Sequence, residues 1–154
     1  MNNSDILVDF DKSLGRSIGR SSKMLGYYLD EAFQAEGLDL SKEQMLVLKK
    51  LHEKDGLIQN ELAALTFRDK SSLARLLIKM ERKNYVFRKQ DDFDRRLNRV
   101  FLTELGSTIF LKTRPLIIKL NNIIERNISE RDIIQLRKTL DRIQQNLIAA
   151  DPAN

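Results

Sequence analysis

Short polar and cationic side chains recur on one side of a segment near the middle of the chain, at residues 70–82. Three leucines and a methionine fill the other side at helical spacing, which predicts an amphipathic helix. Such a helix fits the major groove of duplex DNA, where small hydroxyls allow close approach. The side chains that this geometry turns toward a duplex are Ser71, Ser72, Arg75, Lys79 and Arg82.

These side chains suit different contacts. Arg75 can bind a guanine through two hydrogen bonds, which would specify a base. Lys79 and Arg82 are better placed for phosphates, which position a protein without specifying sequence. The alternative for this helix alone is an ordinary surface helix with a solvated cationic side.

A charged hairpin is predicted directly after this helix. Residues 85–89 and 99–102 are rich in aromatic and β-branched types, which favour strands, and the polar loop 91–96 joins them. Arginine on a protruding loop suits the narrow, electronegative minor groove, and Asp94 could hold such an arginine in position. The alternative is a solubilising hairpin whose edge is protected by charge. The hairpin residues predicted to serve DNA binding are Arg88, Asp94, Arg95, Arg96 and Arg99.

The positive charge of the chain is concentrated in these two elements. The 154 residues include 27 Lys or Arg and 22 Asp or Glu, a net charge of +5. Residues 67–100 contain 11 basic and 5 acidic side chains, a net of +6, so the rest of the chain has a net of −1. A local basic field of this kind favours a polyanionic partner, most simply nucleic acid.

The remaining pattern predicts helices around the two elements. Gly37 and Gly56 are expected to end the first two helices, and Leu62, Ala63 and Leu65 to face inward from the third. The first predicted helix runs from about Asp9 to Glu36, and the second begins at the Ser41–Gln44 capping box. The third covers Gln59–Thr66, and the fourth runs from the Asp69 cap to about Lys83. Two further helices begin at caps formed by Thr103 and Ser129. The three helices that directly precede the hairpin, the hairpin itself and the helices after it form the order of a helix-turn-helix with a wing.

Composition excludes several other classes. Without cysteine, the chain has no disulfide scaffold, zinc ribbon or thiol-based sensor. With one histidine, no Ser/His/Asp set and no glycine-rich phosphate loop, it is predicted not to be an enzyme and to have no catalytic residue, metal or cofactor. Its longest apolar runs are four residues, so we expect a soluble cytoplasmic protein without a membrane partner.

At three stretches the sequence resembles the helix-turn-helix of the MarR family: 61–65, 69–76 and 80–86. Asp94-Arg95-Arg96 with residues 100–106 is similar to that family's wing signature. The resemblance implies base or phosphate contacts from Lys70, Ser71, Ser72 and Arg75, and minor-groove insertion by Arg96. The sequence departs from the family's pattern at Asn84, where glycine is usual, and at Ile58, where a capping Thr or Ser is common.

The resemblance implies a mainly α fold with a small β-hairpin wing, flanked by long N- and C-terminal dimerisation helices. It predicts one domain over 1–154, with the DNA-binding lobe at 41–103 and the dimerisation region at 5–37 and 104–150. The terminal helices could instead bury their apolar sides within one chain. The implied function is a transcriptional regulator, usually a repressor, that binds pseudo-palindromic double-stranded DNA as a homodimer and can be released by a small-molecule effector of unknown identity. The alternative is a winged helix that binds RNA or another protein without a regulatory ligand.

Overall fold

The computed structural model describes residues 12–152, and the mainly helical fold with a small sheet is confirmed. The elements in chain order are α1 (Leu14–Ala35), α2 (Lys42–Glu53), β1 (Leu57–Ile58), α3 (Gln59–Leu65), α4 (Lys70–Arg82), β2 (Val86–Gln90), β3 (Asn98–Leu102), α5 (Glu104–Ile124) and α6 (Glu130–Ala149).

The first two helices begin and end at local sequence signals. The Ser13 hydroxyl accepts the Arg16 N–H at the start of α1, whereas the predicted start at Asp9 lies outside the described residues. Gly37 follows α1 with a φ of +68°, which a residue without a Cβ adopts at little cost. Ser41 and Gln44 form the predicted capping box of α2, each side chain accepting the other residue's backbone N–H at 3.2 Å.

Helix α4 buries its apolar side as predicted. Leu73, Leu76, Leu77 and Met80 are buried, so the opposite side is left to solvent. The helix begins at the predicted cap, where the Asp69 carboxylate accepts the Ser72 N–H at 2.8 Å. A buried apolar side fixes which residues of α4 can meet a partner.

The turns around α4 require left-handed backbone at two positions. Asn84, just after the helix, has a φ of +58°, which asparagine adopts more readily than most residues other than glycine. Phe67, in the turn between α3 and α4, has a φ of +53°, which its residue type does not predict. The prediction for Leu65 was wrong: this side chain is half exposed at the end of α3, and only Leu62 and Ala63 of that helix are buried.

The hairpin belongs to a three-stranded antiparallel sheet in the order β1-β3-β2. Strand β1, which the sequence did not predict as a strand, pairs Leu57 with Val100. Strand β2 pairs Val86 with Leu102 and Gln90 with Asn98. Since Leu57, Val86 and Val100 are buried, the base of the sheet is fixed in the core while its far end extends outward.

Helix α5 starts in very close contact with the beginning of β2. The Thr103 hydroxyl accepts the Gly106 N–H at 2.9 Å, which is the predicted cap. The Thr103 N–H donates to the Tyr85 carbonyl oxygen at 3.1 Å. A Cβ built on Gly106 would lie 2.0 Å from that same oxygen, so only glycine fits here.

The chain divides into two compact units, the first ending at Ile117 and the second beginning at Ile118. The first unit contains α1 to α4, the sheet and most of α5. The second contains the end of α5 and α6, with an ion pair between Arg137 and Glu125 at 3.4 Å. Within residues 12–152, no helix combines the length and apolar character needed to cross a bilayer.

Candidate nucleic-acid interface

The outward side of α4 carries the predicted polar and basic side chains. Five of these residues are exposed, whereas Ser72, whose backbone N–H donates to the Asp69 carboxylate, is half-buried. Among the described residues, no ion pair involves any of the four cations on this helix. Their charge is therefore available to an outside anion. The exposed residues are Lys70, Ser71, Arg75, Lys79 and Arg82.

Arg88 connects the hairpin of β2 and β3, here called the wing, to α4. Its Nε and Nη2 donate to the two carboxylate oxygens of Glu81 at 2.8 and 2.7 Å, a bidentate pair that is about three-quarters buried. Its Nη1 reaches Gln59 Oε1 at 3.5 Å. Donation from Arg88 lowers the pKa of the Glu81 carboxyl and raises that of the guanidinium. One side chain thus connects α3, α4 and β2.

Arg99 fixes the loop at the end of the wing. Its Nε donates to Asp91 Oδ1, and its Nη1 donates to the Gly56 carbonyl oxygen at 2.9 Å. Asp91 is only 6% exposed, and its Oδ2 accepts the N–H groups of Phe93 and Asp94 at 3.1 and 3.0 Å. Donation from Arg99, with those two N–H groups, lowers the pKa of the Asp91 carboxyl. The Asp91 carboxylate therefore fixes the backbone at the tip, and Arg99 fixes that carboxylate.

Asp94 holds Arg96 at the tip. Arg96 Nε and Nη2 donate to the two Asp94 oxygens at 3.0 and 2.9 Å, and the Arg96 N–H donates to Asp94 Oδ1 at 3.1 Å. These bonds lower the pKa of the Asp94 carboxyl and raise that of the Arg96 guanidinium. The Arg96 side chain is still 89% exposed, so its outer edge faces solvent while its inner edge is oriented.

The wing therefore differs from α4 in how its charge is used. Of the five basic residues between 88 and 99, four are in ion pairs, the fourth pair being Lys89 with Asp92 at 3.6 Å. Within the described part of the chain, only Arg95 of this group has no such pair. The helix offers free cations, whereas the wing offers cations with fixed orientation.

A lysine at the end of α4 binds the helix to the α1–α2 loop. The Lys83 ammonium donates to the Asp39 carbonyl oxygen at 3.0 Å, to Asp39 Oδ1 at 2.8 Å and to Gln44 Oε1 at 3.2 Å. The Tyr85 hydroxyl donates to the same carbonyl at 2.9 Å, and burial raises the pKa of this phenol. Sequence reasoning missed this contact because its partners are about 40 residues apart.

Acid should weaken the contact between the wing and α4. The Glu81 pKa is lowered in the folded protein, so this ion pair stabilises fully above the unfolded value of about 4.5. Its contribution is lost as pH falls through the lower folded value. We expect Arg88→Gln to make the decline of unfolding free energy below about pH 4 shallower, as measured by denaturant titrations at several pH values.

Lys49→Gln is the matched control for Arg88→Gln, because it breaks an exposed surface pair with Glu53. Its acid profile should follow that of the wild type. Equal slopes for Arg88→Gln and the wild type would contradict a stabilising role of the Arg88–Glu81 pair.

No group of three or more His, Cys, Asp or Glu side chains that could hold a metal ion occurs among residues 12–152. The carboxylates near the interface are instead acceptors for arginine or for backbone N–H groups. These carboxylates therefore orient basic side chains and the backbone of the wing.

The family model described as "MarR family" matches residues 40–97. The chain is also 34% identical over 94 residues to the HTH-type transcriptional regulator SarZ of Staphylococcus aureus. That match covers 61% of this chain and 62% of SarZ, so under two thirds of the relative's length is matched.

Solved structures share the fold over most of the chain. A MarR transcriptional regulator from Methanosarcina mazei Go1 is 25% identical, with a TM-score of 0.77 over 88% of this chain and 96% of its own. A mutant E. coli MarR complexed with operator DNA is 23% identical, with a TM-score of 0.82 over 89% of this chain and 97% of its own. SarZ and the Methanosarcina protein are both named as transcriptional regulators.

Proposed function

We propose that this chain is a MarR-family transcriptional regulator that binds double-stranded DNA sequence-specifically, because the MarR family model matches residues 40–97. The observation that carries the proposal is the pairing of two elements in one compact unit: a helix with four unpaired cations and a wing with an oriented arginine. Duplex DNA, a polyanion with two grooves, can be contacted by the helix in one groove and by the wing in the other.

In this proposal α4 enters the major groove and the wing follows the minor groove. Ser71, Ser72 and Arg75 lie in the first half of α4 and meet base edges, while Lys70, Lys79 and Arg82 meet phosphates. On the wing, Arg95 and Arg96 face the minor groove. Arg88 and Arg99 hold the hairpin through Glu81 and Asp91, and so serve binding by orienting it.

We propose that the protein acts as a homodimer. Exposed apolar side chains occur on α1, on α5 and on α6, which has no buried residue. A second copy that covers such surfaces would bring two α4 helices onto a two-fold site. Sedimentation should therefore give a dimer, and a monomer at micromolar concentration would oppose this. The exposed residues are Leu14, Met24, Tyr27, Tyr28, Leu111, Ile118, Ile123, Ile134, Leu136, Leu147 and Ile148.

Release by a small acidic effector is also part of the proposal. An open groove of about 770 Å³ lies beside α4 and is lined by Leu38, Leu76, Arg68 and Lys79 among others. Arg68 Nε is buried there and has no hydrogen-bond partner within the described residues. An acid bound at this position would contact the helix that reads DNA, which is how an effector could relieve repression. Screening aromatic acids for loss of operator binding tests this.

Selection of bound sites from random duplex DNA tests the proposed function directly. We expect a two-fold symmetric consensus, and in mobility-shift assays stronger binding to that duplex than to RNA of the same sequence. Selection that yields no consensus, or a preference for RNA, would refute a sequence-specific DNA regulator. Repression follows if a reporter under the selected site loses expression when the protein is present.

Lys79→Ala should weaken binding about equally for all DNA sequences. Lys79 is exposed on the second half of α4 and makes no ion pair among the described residues, so it suits a phosphate contact. Removing one such contact flattens the slope of log affinity against log salt concentration by about one unit. Binding titrations at several salt concentrations measure this slope, and a changed base preference would contradict the phosphate role.

A further inference from the structure

The wing ends in a phenylalanine that is 98% exposed, the most exposed large apolar side chain among the described residues. Phe93 lies in the tip loop, between Asp91 and the Asp94–Arg96 pair. Its backbone N–H donates to the nearly buried Asp91 carboxylate at 3.1 Å, and that carboxylate is held by Arg99. Hydrogen bonds therefore fix the backbone at Phe93, while its ring is exposed to solvent.

Few other groups at the tip are free to contact DNA. The N–H groups of Phe93, Asp94 and Arg96 all donate to carboxylates, so these three backbone groups are not available to a phosphate. The tip side chains that can still contact DNA include Arg95, the outer edge of the Arg96 guanidinium and the Phe93 ring.

Two cations beside an apolar ring match the minor groove. Its floor attracts arginine, its sugar walls are apolar, and aromatic side chains wedge between base pairs at steps that unstack easily. We propose that Phe93 enters the minor groove beside Arg95 and Arg96 and wedges against a deformable base step. It thereby adds a preference for flexible steps such as TA to the sequence read by α4. This inference rests on the proposed DNA binding and adds a specificity residue to it.

Two duplexes that carry the selected site test the proposal, one with a TA step and one with a stiff AA step where the wing lies. The wild type should bind the TA duplex more tightly. Phe93→Ala should lose roughly tenfold in affinity for the TA duplex and most of the preference. Phe93→Leu, which is apolar but not planar, should retain part of both. Because Phe93 is almost fully exposed, thermal unfolding should be the same for all three proteins.

Phe93→Trp gives a direct readout, because the chain contains no other tryptophan. Its indole emission should be quenched when the TA duplex is added and change less with the AA duplex. Unchanged emission on both duplexes, or an unchanged affinity and preference in Phe93→Ala, would overturn the role of Phe93. Stronger quenching by single-stranded DNA or RNA would also overturn it, as would concentration-dependent self-association lost in Phe93→Ala.

Failure of the two proposals can be told apart. If the wild type binds no duplex, the proposed function fails and the role of Phe93 with it. If the wild type binds a symmetric site and Phe93→Ala binds it equally well, only the role of Phe93 fails.

Discussion

Gly106→Ala is expected to lower the free energy of unfolding by about 3 kcal/mol, the upper end for inserting a methyl group into a packed site. The new Cβ would lie 2.0 Å from the Tyr85 carbonyl oxygen, and a backbone atom cannot move aside as a side chain can. Any shift would also strain the Thr103 N–H bond to that oxygen. Denaturant unfolding of the purified variant measures the loss.

Gly19→Ala is the control for this substitution. Gly19 lies within α1, and apart from its own chain neighbours and the nearby backbone of that helix no heavy atom of the described residues lies within 4 Å of its Cβ position. Alanine there should leave stability unchanged or raise it by about 0.5–1 kcal/mol, since glycine is unfavourable inside a helix. Equal stability of the Gly106 and Gly19 variants would show that α5 can move away from β2 without cost.

Arg75→Ala is expected to cost about 1–3 kcal/mol of binding free energy on the selected site and to relax preference at one base pair. Arg75 is exposed on the first half of α4, near the Asp69 cap, where a recognition helix reaches base edges. It makes no ion pair within the described residues, so its guanidinium is free for a guanine. Repeating the site selection with the variant measures the lost preference.

Lys79→Ala provides the comparison, because a phosphate contact lowers affinity without altering the consensus. Both side chains lie on the exposed side of the same helix, so neither substitution should change folding. An Arg75→Ala consensus identical to that of the wild type would exclude Arg75 as a base contact.

Much of the fold follows from local signals. The capping box at Ser41 and Gln44, the Asp69 cap and the four buried residues of α4 are properties of short segments, and the structure has them as predicted. The left-handed Asn84 also agrees with its residue type. Element ends differ by one or two residues, as expected where terminal turns fray.

The features that sequence reasoning missed depend on distant partners. Two-residue strand β1 is a strand only because β3 lies beside it. Arg88 and Arg99 were predicted to serve DNA binding from their position, but their pairing with Glu81 and Asp91 depends on how the hairpin packs. The need for glycine at 106 likewise arises from Tyr85, which lies 21 residues earlier in the chain.

The internal pairing of the wing's cations has a consequence for how a regulator would search a genome. The non-specific affinity of a protein for DNA increases with the number of phosphates that its unpaired Lys and Arg side chains neutralise. Because four of the five basic residues of the wing are in ion pairs, the wing adds little to this non-specific affinity. The protein would then dwell briefly on irrelevant sequence and move on quickly, while the wing keeps its shape for the moment when α4 meets the right bases.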